Sequence, residues 1–249
     1  MTLKNKNAVI TGGASGIGLA TVTLFAEHGV NVVFADIDEQ AGSELERKLT
    51  GDGFNVKFAL SDVTDEDAVK QLFSLAGTID ILVNNVGIEI ATPFHQMETA
   101  EWNRLLQVNL TSMFLCSKYA IQQMMKTDAA SSIINVSSVS GTVAWPGIAA
   151  YNTTKGGVMM LTKSLAADYA KYNISVNCVC PSIVDTPMTD KSIGEENLEA
   201  IKREKARLVP LNRMCKPGDV ANAILFLASE QAAFITGTPL MVDGGYTAV

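Results

Sequence analysis

Seven short apolar runs punctuate the 249-residue chain, at residues 8–11, 31–36, 55–60, 80–85, 132–138, 174–181 and 239–243. Most are continuous, as in Val32-Val33-Phe34-Ala35 and Ile81-Leu82-Val83, rather than alternating with polar residues. A strand that reads this way is buried on both faces, which demands a parallel sheet with helices packed on each side. Helical patterns fill the gaps, for example at 18–27, 39–49 and 149–171, completing a β-α-β rhythm. The chain therefore predicts an α/β fold: a doubly wound parallel sheet of about seven strands flanked by helices. No linker or shift in composition divides it, so residues 1–249 read as one domain. The stretch at about 182–213 breaks the rhythm, being long, charged and partly helical, as lids and substrate loops often are.

Composition removes several classes of function. Hydrophobic residues make up 47% and charged residues 18%, and the formal charge is −7, with no basic footprint for nucleic acid. The one basic cluster, Lys202-Arg203-Glu204-Lys205-Ala206-Arg207, is interrupted by a carboxylate and reads as a solvated helix face. No apolar run approaches the roughly 18 residues of a membrane span. The polar start from Met1 to Asn7 shows no signal peptide, and a cytoplasmic location is expected. Cys116, Cys178, Cys180 and Cys215 match no zinc spacing, and the chain has only His28 and His95, so no metal site is expected. Cys178 and Cys180 read as buried strand thiols.

The first strand runs into Thr11-Gly12-Gly13-Ala14-Ser15-Gly16-Ile17-Gly18 and then a helix. Glycines here permit a tight turn and let main-chain N–H groups approach a pyrophosphate, which a helix N-terminus also favours. The order is G-x-x-x-G-x-G rather than the commoner G-x-G-x-x-G, and a plain strand-to-helix turn would use the same residues. Asp36 ends the second strand eighteen residues beyond Gly18, about where an acid bonds an adenosine ribose. A carboxylate there repels a 2′-phosphate, and neither Ser15 nor Ile37 offers a cation, so NAD is expected over NADP.

Tyr151 and Lys155 stand at i and i+4, and Ser138 lies thirteen residues before the tyrosine. Residues so spaced share one helix face, where an ammonium lowers the pKa of a phenol that otherwise titrates near 10. The pair would then serve as a proton donor and acceptor near neutral pH. A core tyrosine beside a solvated lysine gives the same spacing, so the reading depends on the rest of the chain.

Taken together, Thr11-Gly12-x-x-x-Gly16-x-Gly18, Asp62-Val63, Asn84-Asn85-Val86-Gly87, Asn109, Ser138, Tyr151-x-x-x-Lys155, Pro181 and Thr186 resemble the classical short-chain dehydrogenase/reductase family. The resemblance runs from Thr11 to Gly245 and implies a single-domain Rossmann fold. It implies that Asn109, Ser138, Tyr151 and Lys155 are catalytic, with Asn109 holding a water that links Lys155 to solvent. Asp62 and Val63 would hold adenine, and Asn84, Asn85, Val86 and Gly87 would close strand four against the ribose and phosphate side of the cofactor. Pro181, Ile183 and Thr186 would border the nicotinamide. The resemblance also implies a homotetramer or dimer, built through helices at 101–125 and 149–171.

The implied reaction is hydride transfer between NAD and a secondary alcohol or ketone. Reduction of a 3-oxoacyl group on a carrier protein and non-catalytic dinucleotide sensing are the alternatives. Gly87-Ile88-Glu89-Ile90, Val143-Ala144-Trp145-Pro146 and Cys178-Val179-Cys180-Pro181 are similar to a bacterial subgroup that includes dihydroanticapsin dehydrogenase, implying a cyclic alcohol. Substrate contacts are expected from Glu89, Ile90, His95, Ser140, Trp145, Asn152 and the 182–213 segment, with Trp145 and Met188 forming an apolar wall. The chain departs from the family pattern at Val86, Thr154, Ser182 and in a short stretch between Asp62 and Asn84. Ser182 would be strained if its position required positive φ.

Overall fold

The computed structural model describes residues 3–193 and 197–249. Met1 and Thr2 of the polar start, and residues 194–196 within the 182–213 segment, lie outside the described residues. Seven strands form one parallel sheet in the order β3-β2-β1-β4-β5-β6-β7. They are β1 (Asn7–Thr11), β2 (Asn31–Asp36), β3 (Val56–Leu60), β4 (Ile81–Asn84), β5 (Ser131–Val136), β6 (Ile174–Pro181) and β7 (Pro239–Val242). Strand order reverses between β1 and β4, and such a switch point opens a crevice at the carboxyl ends of the strands.

Successive residues of a strand point to opposite faces, so each central strand feeds two cores. Ile10, Val83 and Ile134 join Val22, Phe25 and Ile224 of α1 (Gly16–Glu27) and α9 (Pro217–Leu227) on one side. Val9, Leu82 and Ile133 join Val69 and Phe73 of α3 (Glu66–Ala76) and Leu115 of α5 (Ser112–Met124) on the other. Phe25, Phe34 and Phe73 are fully buried, and truncating any of them to alanine costs about 3–5 kcal/mol. The helix α2 (Glu39–Gly51) lies on β3, where Gly42 permits the approach: a Cβ there would fall 2.3 Å from the Phe58 ring.

The two ends of the sheet are built differently. At the amino end, side-chain amides run across four strands: Asn55 donates to Asn31 at 2.8 Å, and Asn31 to Asn7 at 3.0 Å. The main-chain N–H of Asn7 continues the ladder to Asp80 at 2.8 Å, and Lys6 pairs with the same carboxylate at 3.1 Å. Inside the sheet, Asn84 donates to Ser117 at 3.0 Å and to Asn135 at 2.8 Å, and Asn135 donates to Thr162 at 2.9 Å. Asn84 is thus turned into the α5 side of the sheet, whereas the sequence pattern had it closing strand four against a cofactor.

The helix expected at 101–125 is interrupted. Its parts are α4 (Thr99–Leu106), a π turn (Gln107–Thr111) and α5, with Asn109 fully buried in the turn. A π turn carries one extra residue per turn, which rotates Asn109 without breaking the apolar periodicity, and such turns concentrate at functional sites. The helix α3 spans eleven residues, capped by the Asp65 carboxylate, which accepts from Asp67 and Ala68 N–H groups. Ser182 is not among the residues with positive φ, so the serine carries no backbone strain there. No helix among the described residues is long and apolar enough to cross a membrane. Cys178 and Cys180 are buried on β6, and burial pushes the Cys116 thiol up to about 12.

Candidate active site

The glycine-rich turn is compressed in a way that only glycine tolerates. Gly12 and Gly16 hold φ of 66° and 51°, and a Cβ on Gly18 would fall 1.8 Å from the Gly12 carbonyl oxygen. Asn85 braces the turn, donating to the Thr11 and Gly12 carbonyls at 3.1 and 3.0 Å. The first turn of α1 holds no acidic residue, and Ser15 at its N-cap makes no side-chain capping bond. Its N-terminal N–H groups remain available to an anion, unlike those of α3, which Asp65 caps. Asp36 accepts from Ala14 N–H at 2.9 Å and from Ile37 and Asp38 N–H at 2.8 and 3.1 Å, fixing its carboxylate beside the turn.

A cavity of about 530 Å³ opens along this turn and across the carboxyl ends of the strands. Of the residues singled out in the sequence, Gly12, Ser15, Gly16, Ile17, Asp36 and Ile37 line it, as do Asp62, Val63, Asn85, Val86 and Gly87. Ser138, Tyr151, Lys155, Pro181, Ile183 and Thr186 line it too, so the presumptive chemistry and the glycine-rich turn share one cavity. Gly18 and Asn109 stand behind this wall. The Asp62 carboxylate accepts from the Thr64 N–H and hydroxyl at 2.9 and 2.7 Å. The Ile183 carbonyl accepts from Cys215 N–H at 3.0 Å. Glu89, Ser140, Trp145, Met188 and Ser182 also line the cavity, whereas Ile90, His95 and Asn152 do not. Arg104, Ser192 and Lys205 line it as well; Ser192 and Lys205 fall in the expected 182–213 segment, though the charged run holding Lys205 reads as solvated, and Arg104 was not expected.

Ser138 and Tyr151 come from different elements. Ser138 follows β5 and accepts from Ser140 N–H at 3.1 Å, and Tyr151 lies in the first turn of α6 (Ala149–Tyr169). Lys155, one turn later, is 3% exposed; its ammonium donates to the Val136 carbonyl at 3.0 Å and lies 5.6 Å from the centre of the Tyr151 ring. Gly87 closes on this pair: a Cβ there would meet the Lys155 ammonium at 3.3 Å. Burial pushes Lys155 down to about 8. Burial also pushes the Tyr151 phenol up, the Glu89 charge adds to this, and the Ser138 hydroxyl opposes it. This reverses the lowered phenol expected from the i, i+4 spacing. The reason is that both groups are desolvated, and the ammonium is bonded to a carbonyl rather than to the phenol.

Asn109 is held by three side-chain hydrogen bonds. Its side chain accepts from Ile88 N–H at 2.8 Å and donates to the Ile88 carbonyl at 2.9 Å and to the Thr154 hydroxyl at 3.1 Å. The Thr154 hydroxyl donates onward to the Tyr151 carbonyl at 2.8 Å. The side chain therefore ties the loop after β4 to the helix that carries Tyr151. Among the described residues, no three His, Cys, Asp or Glu side chains gather in the manner of a metal site.

Comparison with known proteins agrees with this geometry. Residues 12–247 match the family model described as enoyl-(acyl carrier protein) reductase. The cis-4-hydroxycyclohexanecarboxylate dehydrogenase of Sinomonas cyclohexanicum is 41% identical, over 97% of this chain and 96% of its own. The cyclopentanol dehydrogenase of a Comamonas species is 38% identical, over 99% and 98%. Among solved structures, the ligand-free aldohexose dehydrogenase of Thermoplasma acidophilum superposes with a TM-score of 0.90 at 36% identity, over 99% of this chain and 96% of that one. The chain belongs to the short-chain dehydrogenase/reductase family, and is an oxidoreductase of the kind that works with a nicotinamide dinucleotide.

Proposed function

We propose that this protein is an NAD-dependent dehydrogenase of a cyclic secondary alcohol, working in reverse as a ketone reductase, with Tyr151 as general acid and base. The observation that carries this reading is that Ser138, Tyr151 and Lys155 border the same cavity as the glycine-rich turn and Asp36. The ring in the substrate is supported by two relatives named for cyclic alcohols.

The turn fits a dinucleotide: Gly12 and Gly16 hold positive φ, Gly18 lets the helix close on the Gly12 carbonyl, and the α1 N-terminus presents uncapped donors. Gly12, Ser15, Gly16, Ile17 and Gly18 would receive the pyrophosphate. Asp36 and Ile37 would receive the adenosine ribose, and Asp62 and Val63 the adenine. Asn85, Val86 and Gly87 would flank the linking riboses, and Lys155, Pro181, Ile183 and Thr186 the nicotinamide end. When bound, the nicotinamide supplies the hydride acceptor or donor.

The chain's own residues manage the proton and the alignment. Tyr151 would take the proton of the substrate hydroxyl, and Ser138 would hold the same oxygen by a hydrogen bond. The Ser138 hydroxyl opposes the burial and the Glu89 charge which otherwise keep the phenol protonated. Asn109, whose side chain ties Ile88 to Thr154, would hold the water that links Lys155 to solvent. Exposed Phe114 on α5 and Met160 on α6 support an assembly through those helices, as a homotetramer.

The test is the appearance of reduced cofactor with cyclopentanol and 4-hydroxycyclohexanecarboxylate, comparing NAD with NADP. Turnover with NAD alone is expected; equal turnover with NADP would remove Asp36 as the selector. A second reading, reduction of an acyl thioester, is favoured by the description of the matching family model. Faster reduction of an acetoacetyl thioester than of cyclic ketones would establish it instead.

A further inference from the structure

The cavity carries a cation that the proposed chemistry does not use. Lys205, on α8 (Leu198–Arg207), lines it with its ammonium 5.6 Å from the centre of the Trp145 ring, within cation–π range. Trp145 is itself held. It stacks on Tyr246 in the final turn of the chain, with centroids 5.4 Å apart and planes at 22°, and its carbonyl accepts from Asn152 at 3.0 Å. Asn152 is the neighbour of Tyr151, so the wall bearing Lys205 is tied to the helix turn bearing the general base.

Two other cations of this segment are neutralised by the protein. Lys202 pairs with Asp185 at 2.7 Å and Asp190 at 2.6 Å, and Arg213 pairs with Asp219. Lys205 forms no ion pair among the described residues, although the Glu89 carboxylate lines the same cavity. The Trp145 indole N–H is also buried with no acceptor among them. A part-buried cation with no carboxylate paired to it asks for an acceptor of negative charge. Glu89 lies at the opposite chemical pole. It accepts from Ser192 at 2.7 Å, and its charge acts on the Tyr151 phenol, so it repels an anion from the reacting end.

We propose that the Lys205–Trp145 wall receives a carboxylate carried by the substrate away from its carbinol carbon. The inference rests on the cyclic-alcohol reading and sharpens it to a hydroxy acid, oriented by attraction at Lys205 and repulsion at Glu89. Lys205 is then a specificity-determining residue.

The experiment measures NAD-dependent oxidation of 4-hydroxycyclohexanecarboxylate and of its uncharged methyl ester by wild type, Lys205→Gln and Lys205→Arg. Wild type is expected to favour the acid by at least about 10-fold in kcat/KM, with the preference eroding at high salt. Lys205→Gln should lower the acid-to-ester ratio by about 10-fold or more, chiefly through the KM of the acid, and Lys205→Arg should restore most of it. Equal treatment of acid and ester by wild type would overturn the inference while leaving the dehydrogenase reading intact. So would a ratio unmoved in Lys205→Gln, whatever happens to absolute rates. Absence of turnover with either ring alcohol would sink both readings together.

Discussion

The Lys155 ammonium donates to the Val136 carbonyl at 3.0 Å, so the charge that should serve Tyr151 is anchored to strand β5 rather than to the phenol. Burial lowers the lysine from an ordinary value of 10.5 to about 8. A depressed lysine costs stability wherever the folded chain must keep it protonated, below about pH 8. That cost is relieved between the folded and unfolded values, where the unfolded chain binds more protons. Lys155→Met is therefore expected to gain stability relative to wild type at pH 7 and to lose that advantage by pH 10. The gap should close by about 1–3 kcal/mol in urea melts. A gap independent of pH would refute the lowered lysine.

Tyr151→Phe removes the hydroxyl and keeps the ring beside Lys155. Turnover should fall by at least about 100- to 10,000-fold, the usual worth of a positioned acid–base group. Calorimetric titration with NAD should still show binding, since the glycine-rich turn is untouched. Retention of more than a tenth of the activity would move the proton chemistry elsewhere.

Gly18→Ala sets a methyl against the Gly12 carbonyl, which cannot yield without opening the turn. NAD affinity should collapse, and the melting temperature should fall as well. The contrasting case is Gly51→Ala at the end of α2, where nothing lies within 4 Å. It should stabilise the fold by about 0.4–1 kcal/mol and leave NAD affinity unchanged.

Asp36→Asn removes the charge that would face a 2′-phosphate and keeps one acceptor oxygen, for the Ile37 and Asp38 N–H groups or for the Ala14 N–H but not for both. The ratio of kcat/KM for NAD over NADP should drop by about 10-fold or more. An unchanged ratio would place cofactor selection in another residue.

The seven strands were legible because a run such as Ile81-Leu82-Val83, buried on both faces, has few other places to go. The residues that meet at the cavity were legible because glycines, a Y-x-x-x-K pair and strand-end polar residues keep fixed separations. What escaped was whatever depends on contacts between distant elements. The π turn at Gln107–Thr111 adds a residue without disturbing the apolar pattern, so 101–125 reads as one helix. Asn84 looks like a site residue by position, yet it bonds Ser117 and Asn135, both far away in sequence. The phenol and ammonium shifts follow from burial, which spacing alone does not report. Lys205 hides in a run of charges, and only the fold brings it over Trp145.

The asparagine ladder from Asn55 through Asn31 to Asn7 sits at the rim of the sheet away from the carboxyl ends where the cavity opens. Robustness and selectivity are thereby housed at opposite poles of one slab. A breeder of heat-tolerant variants can work on the amide rim, and a designer of new substrate tastes on the cavity rim, with each set of changes transplanted into the other's product.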